Sequence, residues 1–346
     1  MEKKQNGFIV FLWSILPMAV AIGIQFAVQM PVIFFISFKI SMQYADLMGT
    51  DEYFNAYTAE YLRQLQDPVL NDVLKLVTMI VLAAVFAVWF WKSKASKGMT
   101  SLKKALPIRN ILLIVAAGYV TQVAMSLLLT LILPLFPKTN SSYTELLESL
   151  VGGSPVVAVI TVAILAPFAE ELIFRGLTLR GTIRHWENFV LVNFLQALYF
   201  GIYHMNIVQG VYAFLMGLIF GYVAYRLNNI FASILFHAAV NASGLFLFLP
   251  EALFDNSLLM LLVAVAGCAI IWALLYLLKI PAKPAPAPVP TAPGPVYGPG
   301  YGMPGSLYEQ QANRFDQQSA DMFNQQANND PQDTNFPANN VNDQNN

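Results

Sequence analysis

The fold class this sequence predicts is all-α: a polytopic transmembrane helix bundle of about eight spans, followed by a disordered C-terminal tail. Three observations carry it. Of 346 residues, 57% are hydrophobic and only 11% charged, where soluble domains hold about a quarter charged residues. Mean hydropathy is +0.55. Eight apolar runs approach the roughly 20 residues a helix needs to cross the hydrocarbon core.

The runs are Phe8–Phe38, Val73–Trp91, Ile111–Phe136, Pro155–Phe174, Asn188–Tyr203, Ile207–Tyr225, Ile230–Leu249 and Leu258–Leu278. The first holds Pro17 and Pro31, which a span tolerates because neighbours satisfy the freed carbonyls. It continues well past a signal-peptide core of roughly 7–15 residues, so it reads as a retained span. Asn188–Tyr203 is the shortest. Basic residues fill every second loop: Lys3 and Lys4, then Lys92 to Arg109, Arg175 to Arg184, Arg226, and Lys279 with Lys283. The intervening loops are acidic or neutral. By the positive-inside rule both termini are expected in the cytoplasm of a multi-pass cell-membrane protein.

The chain is expected to divide into N-terminal spans and loops (1–110), a core domain (111–279) and a tail (280–346). Within the first outer loop, Tyr53–Gln66 has helical periodicity and predicts a short amphipathic helix. Pro281–Pro304 contains nine prolines, and Tyr308–Asn346 is rich in Asn and Gln. Such composition favours polyproline II and cannot bury enough apolar surface to fold alone. The net charge of -1 gives no reason to expect nucleic-acid binding. The single Cys268 excludes a disulfide framework and a cysteine metal site.

Ionisable groups within spans are costly and ask for an explanation. In APFAEELIFRG, Glu171 and Arg175 are four apart on one helix face and can pair, while Glu170 points about 100° away. One glutamate can then be held by the arginine while the other is left for acid–base chemistry. The alternative is a structural Glu–Arg pair at a span end. In FGIYHMN, Phe200 and His204 share a face. In FHAAVNA, so do His237 and Asn241, which can both donate to a developing oxyanion. Interhelical polar clasps are the alternative for each histidine. Three polar clusters in three spans favour one shared site. His185, in the loop RHWEN, has no such company. If span four ended at Phe174, Glu170 would lie near the cytoplasmic side and His204 near the outer side. The two can meet only if span four continues through GLTLRG or span five is tilted or starts later.

Glu-Glu-x-x-x-Arg at 170–175, Phe-x-x-x-His at 200–204 and His-x-x-x-Asn at 237–241 resemble, in order and separation, the three motifs of the CAAX-protease and bacteriocin-processing (Abi) family of intramembrane endopeptidases. The resemblance covers about 155–245. It implies that Glu170 and His204 activate a water and that His237 and Asn241 stabilise the oxyanion. Glu171, Arg175 and Phe200 would then support the site. It also implies a membrane-associated peptide or protein substrate, lipidated in the prenyl-processing case, and either prenyl-protein processing or bacteriocin maturation and self-immunity. No cofactor is expected. The alternative is a zinc peptidase with Glu170, His204 and His237 as ligands, since three ligands plus water is the usual catalytic count; no His-Glu-x-x-His is present. Two further readings are a non-catalytic scaffold or immunity protein, and a transporter with a proton relay. The latter would show an internal repeat, and none is seen.

Overall fold

Asparagine, threonine and aspartate side chains begin most of the helices, as the backbone N–H groups at a helix start require. In the computed structural model, Asn6 caps α1 (Gly7–Gln43) and Thr50 caps α2 (Asp51–Leu65). Asp67 with Pro68 starts α3 (Pro68–Lys92). The bundle continues with α4 (Ile108–Ile132), α5 (Pro155–Trp186), α6 (Phe189–Tyr203), α7 (Ile207–Arg226), α8 (Ile230–Phe246) and α9 (Ser257–Tyr276). Asn188, Asn206 and Asn256 cap α6, α7 and α9. The structure describes residues 6–136, 141, 143–145, 147–148, 152–246 and 249–280; the tail beyond residue 280 lies outside them.

The protein is thus a multi-pass helical bundle. Among the described residues six helices are long and apolar enough to cross a membrane, and α6 and α8 are shorter apolar helices. Pro17 and Pro31 both lie inside an unbroken α1. The amphipathic segment of the first outer loop is helical, as α2, and its Tyr53, Tyr57 and Tyr61 rings follow one another at 5.9 Å.

The largest departure from expectation is α5. It does not end at Phe174 but runs on through GLTLRG to Trp186. Two stretches, Val159–Leu165 and Leu172–Leu179, are π-helical. Such wide turns recur at functional sites. Every residue from Leu172 to Leu179 is buried, the mark of a helix surrounded on all sides. Gly176 lets Phe90 of α3 approach, because a Cβ there would come within 2.9 Å of the Phe90 ring. Asp72 of α3 receives the Ser154 backbone N–H at 2.7 Å and fastens the start of α5.

The α6–α7 contact rests on a seam of glycines and amides. A Cβ at Gly221 would lie 1.9 Å from Asn193 Oδ1, and one at Gly217 would lie 3.0 Å from Ala197. Gln196 donates to the Gly217 carbonyl at 2.9 Å and Asn193 to the Leu218 carbonyl at 3.0 Å. Small residues at such positions let helix backbones approach and expose carbonyls to partner side chains. At the start of α4, buried Asn110 donates to the carbonyls of Ala105 and Lys279 and accepts the Lys279 N–H. It ties the end of α9 to the start of α4.

Candidate active site

Four helices bring the polar residues together. Glu170, Glu171 and Arg175 come from α5, and Phe200 and His204 from α6 and its C-cap. Phe220 comes from α7, and His237 and Asn241 from α8. The extended α5 removes the difference in depth. Sixteen residues separate Glu170 from Trp186, and fifteen separate His204 from Phe189. At about 1.5 Å per residue, both lie roughly 22–24 Å from the turn joining α5 to α6.

Glu171 is fully buried and its Oε1 takes two partners. Arg175 NH1 donates to it at 2.8 Å, and His237 Nδ1 lies 3.0 Å away. The first contact is the i,i+4 pair anticipated from spacing. The second is new: it joins α5 to α8. Arg175 is also wholly buried, donates through NH2 to the Gly217 carbonyl at 3.1 Å, and lies 4.5 Å from the Phe200 ring centre and 5.1 Å from that of Phe220. Two aromatic faces and a carboxylate therefore replace water around the guanidinium.

With Nδ1 facing a carboxylate, His237 donates there, and its other nitrogen is directed elsewhere. Nε2 lies 3.8 Å from Glu170 Oε2. That is too long for a direct hydrogen bond and is a separation that a bridging water can span. The imidazole stacks on Phe220 at 4.5 Å and meets the edge of Phe200 at 5.8 Å, so its plane is held by packing.

Glu170 differs from its neighbour. Its side chain is 10% exposed where that of Glu171 is 0%. No hydrogen-bond donor reaches its carboxylate among the described residues. It is the one buried carboxylate of the pair that an incoming molecule can meet.

His204 caps the C-terminus of α6, and Met205 beside it is left-handed at φ 50°. That conformation is uncommon for a bulky residue and turns the chain sharply into α7. His204 Nδ1 lies 2.7 Å from the Phe200 carbonyl. A carbonyl only accepts, so Nδ1 carries the proton and Nε2 keeps its lone pair. Phe200 packs against His204 at 4.8 Å as well as against His237 and Arg175. It is the hub of the cluster.

Asn241 lies one turn from His237 but is turned to the wall of the site. Its Nδ2 donates to the Val162 carbonyl at 2.8 Å, within the first π-helical stretch of α5. Among the described residues no set of three His, Cys, Asp or Glu side chains could hold a metal ion. The set Glu170, His204 and His237 is among those not so grouped. His185 sits in the last turn of α5, away from this cluster.

Motif reading missed the Glu171–His237 contact, the Gly217/Gly221 seam and a contribution from α1, where Gln25 Nε2 donates to the Tyr203 hydroxyl. The seam had a signal in Gly-Leu-Ile-Phe-Gly at 217–221, a small-xxx-small pattern. The other two contacts join distant helices and leave no local trace.

No curated protein and no solved structure matches the chain. Residues 152–243, which hold Glu170, Glu171, Arg175, Phe200, His204, His237 and Asn241, match the model of the family described as type II CAAX prenyl endopeptidase Rce1-like, and over that segment the chain is similar to this family.

Proposed function

We propose that the chain is an intramembrane endopeptidase that hydrolyses a peptide bond close to a prenylated cysteine, with both termini in the cytoplasm and no metal in the reaction. One observation carries the reading. The Glu170 carboxylate lacks a hydrogen-bond donor among the described residues and faces His237 Nε2 across 3.8 Å. An unfilled carboxylate facing an oriented imidazole, at the centre of a helical bundle, is suited to activating a water.

Glu170 and His204 Nε2 take a proton from the water as its oxygen attacks the scissile carbonyl carbon. His237, its Nδ1–H given to Glu171, acts through Nε2. The proton taken from the water moves on to this nitrogen, which then donates to the oxyanion, and Asn241 donates with its second amide hydrogen. The C–N bond then breaks and the proton taken from water passes to the leaving amine. Arg175 and Phe200 keep Glu171 and the two rings in place. The surrounding aromatic and apolar side chains exclude bulk water, which strengthens each of these interactions.

The test uses the purified full chain in lipid vesicles with a fluorogenic peptide whose farnesylated cysteine lies three residues before the C-terminus. The wild type should release the tripeptide and Glu170→Gln should not. Equal release by both would remove Glu170 from the reaction. An inert wild type with intact bacteriocin immunity in cells would point to a scaffold.

A further inference from the structure

Polar residues on α1 are spaced to one face. Ser14, Ala21 and Gln25 stand seven and four residues apart and fall on the same side of the helix. That face packs on α5 and α6. The Ser14 hydroxyl lies 3.2 Å from that of Tyr199, and Thr178 of α5 donates to the Ser14 carbonyl at 3.3 Å. Ala21 is fully buried. One turn further on, Gln25 meets Tyr203. An amide carried on a span needs a partner inside the bundle, and the phenol is that partner.

The direction of this hydrogen bond matters. The amide N–H donates to the phenol oxygen. The Tyr203 O–H is thereby left to donate onward. Tyr203 is 4% exposed, and its ring meets Phe174 at 5.4 Å and His204 at 5.9 Å. Phe174 stands one turn beyond Glu170 on α5. So a buried phenol whose O–H donates to nothing among the described residues packs one turn of α5 away from a carboxylate that no donor among them reaches.

We propose that Tyr203, held by Gln25 of α1, is a positioning residue for Glu170: its O–H reaches the carboxylate through a bridging water and sets the carboxylate's rotamer. The proposal rests on the peptidase reading above and extends the working site to α1, which lies outside the 152–243 match. It separates two fastenings on the same face of α1. Ser14–Tyr199 only clasps the helices, and Gln25–Tyr203 clasps and serves the reaction.

The experiment uses the same full chain in vesicles with the farnesylated peptide, and measures kcat, KM and thermal unfolding for Tyr203→Phe, Gln25→Leu, the double variant and Ser14→Ala. Tyr203→Phe keeps the ring and its packing and removes only the hydroxyl. It should lower kcat about ten-fold or more and leave KM within about two-fold, the size expected for a hydrogen bond to a charged group. Gln25→Leu should lower kcat in the same way, and the double variant should be no worse than Tyr203→Phe. Ser14→Ala should keep wild-type kcat. If Tyr203→Phe and Gln25→Leu shift the unfolding temperature but keep wild-type kcat, while Glu170→Gln is inactive, the pair is only a clasp and the proposal is overturned. Equal cleavage by wild type and Glu170→Gln overturns the peptidase reading, and this proposal with it.

Discussion

Glu171 Oε1 is shared by Arg175, four residues on, and by His237, sixty-six residues on, at 2.8 and 3.0 Å. Its second oxygen is buried without a hydrogen-bond partner among the described residues. One carboxylate oxygen thus ties the guanidinium to the imidazole and sets which nitrogen of His237 is left to work.

Removing one member of this buried pair should be severe. Glu171→Gln leaves the guanidinium without its counter-charge among apolar groups, a loss of about 3–5 kcal/mol. Replacing both, as Glu171→Gln with Arg175→Met, should recover much of that stability. Cleavage should stay low in both variants because His237 has lost its orienting carboxylate. Unfolding titrations read the first effect and peptide release the second. Recovery of activity in the double variant would deny Glu171 its role toward His237.

Glu170→Gln should behave in the opposite way. The carboxylate holds no hydrogen bond among the described residues, so the variant should insert, fold and unfold within about 1 kcal/mol of wild type. Its peptide release should fall by at least about a hundred-fold, as expected for loss of a general base. A large stability change with modest loss of rate would make Glu170 structural.

Cleavage should survive strong chelation. Prolonged treatment of the purified protein with EDTA and with 1,10-phenanthroline should leave kcat unchanged. Loss of activity restored by added Zn²⁺ would mean that the donors rearrange to bind metal when substrate arrives.

The α6–α7 seam should tolerate no side chain at Gly221, where a Cβ would overlap Asn193. Gly221→Val should destabilise by about 1–3 kcal/mol or more through overpacking. Gly23→Ala on α1 has open space around its Cβ and should be close to neutral, within about 0.5 kcal/mol. Both can be read from unfolding in the same detergent. Equal effects would mean that α6 and α7 do not meet at this seam.

Much of the bundle was legible from composition and run length. Each of the eight apolar runs is helical over most of its described residues, and Tyr53–Gln66 falls within α2 but for its last residue. The Glu171–Arg175 pair followed from a spacing of four on one helix. The end of α5 was not legible, because Arg175 and Arg180 resemble the basic edge of a span. In the structure Arg175 is sealed by Glu171, Phe200 and Phe220. Arg180 is satisfied by the carbonyls of Ala95 and Lys97 and by Asn228. Charges neutralised by tertiary partners look from sequence like charges seeking water.

Sequence by itself determined the helices, their order, and the residues that share a face, since the 3.6-residue period is a local property of the backbone. It also carried the three motifs. Tertiary structure alone decided which faces meet. Glu171 meets His237 rather than only Arg175, Asn241 turns to Val162, and Gln25 reaches Tyr203 across 178 residues. In a membrane bundle the lipid-facing and protein-facing sides of a helix are both apolar, so hydrophobic patterning does not mark the interface. Close packing at small residues and the pairing of buried polar groups choose the neighbours instead.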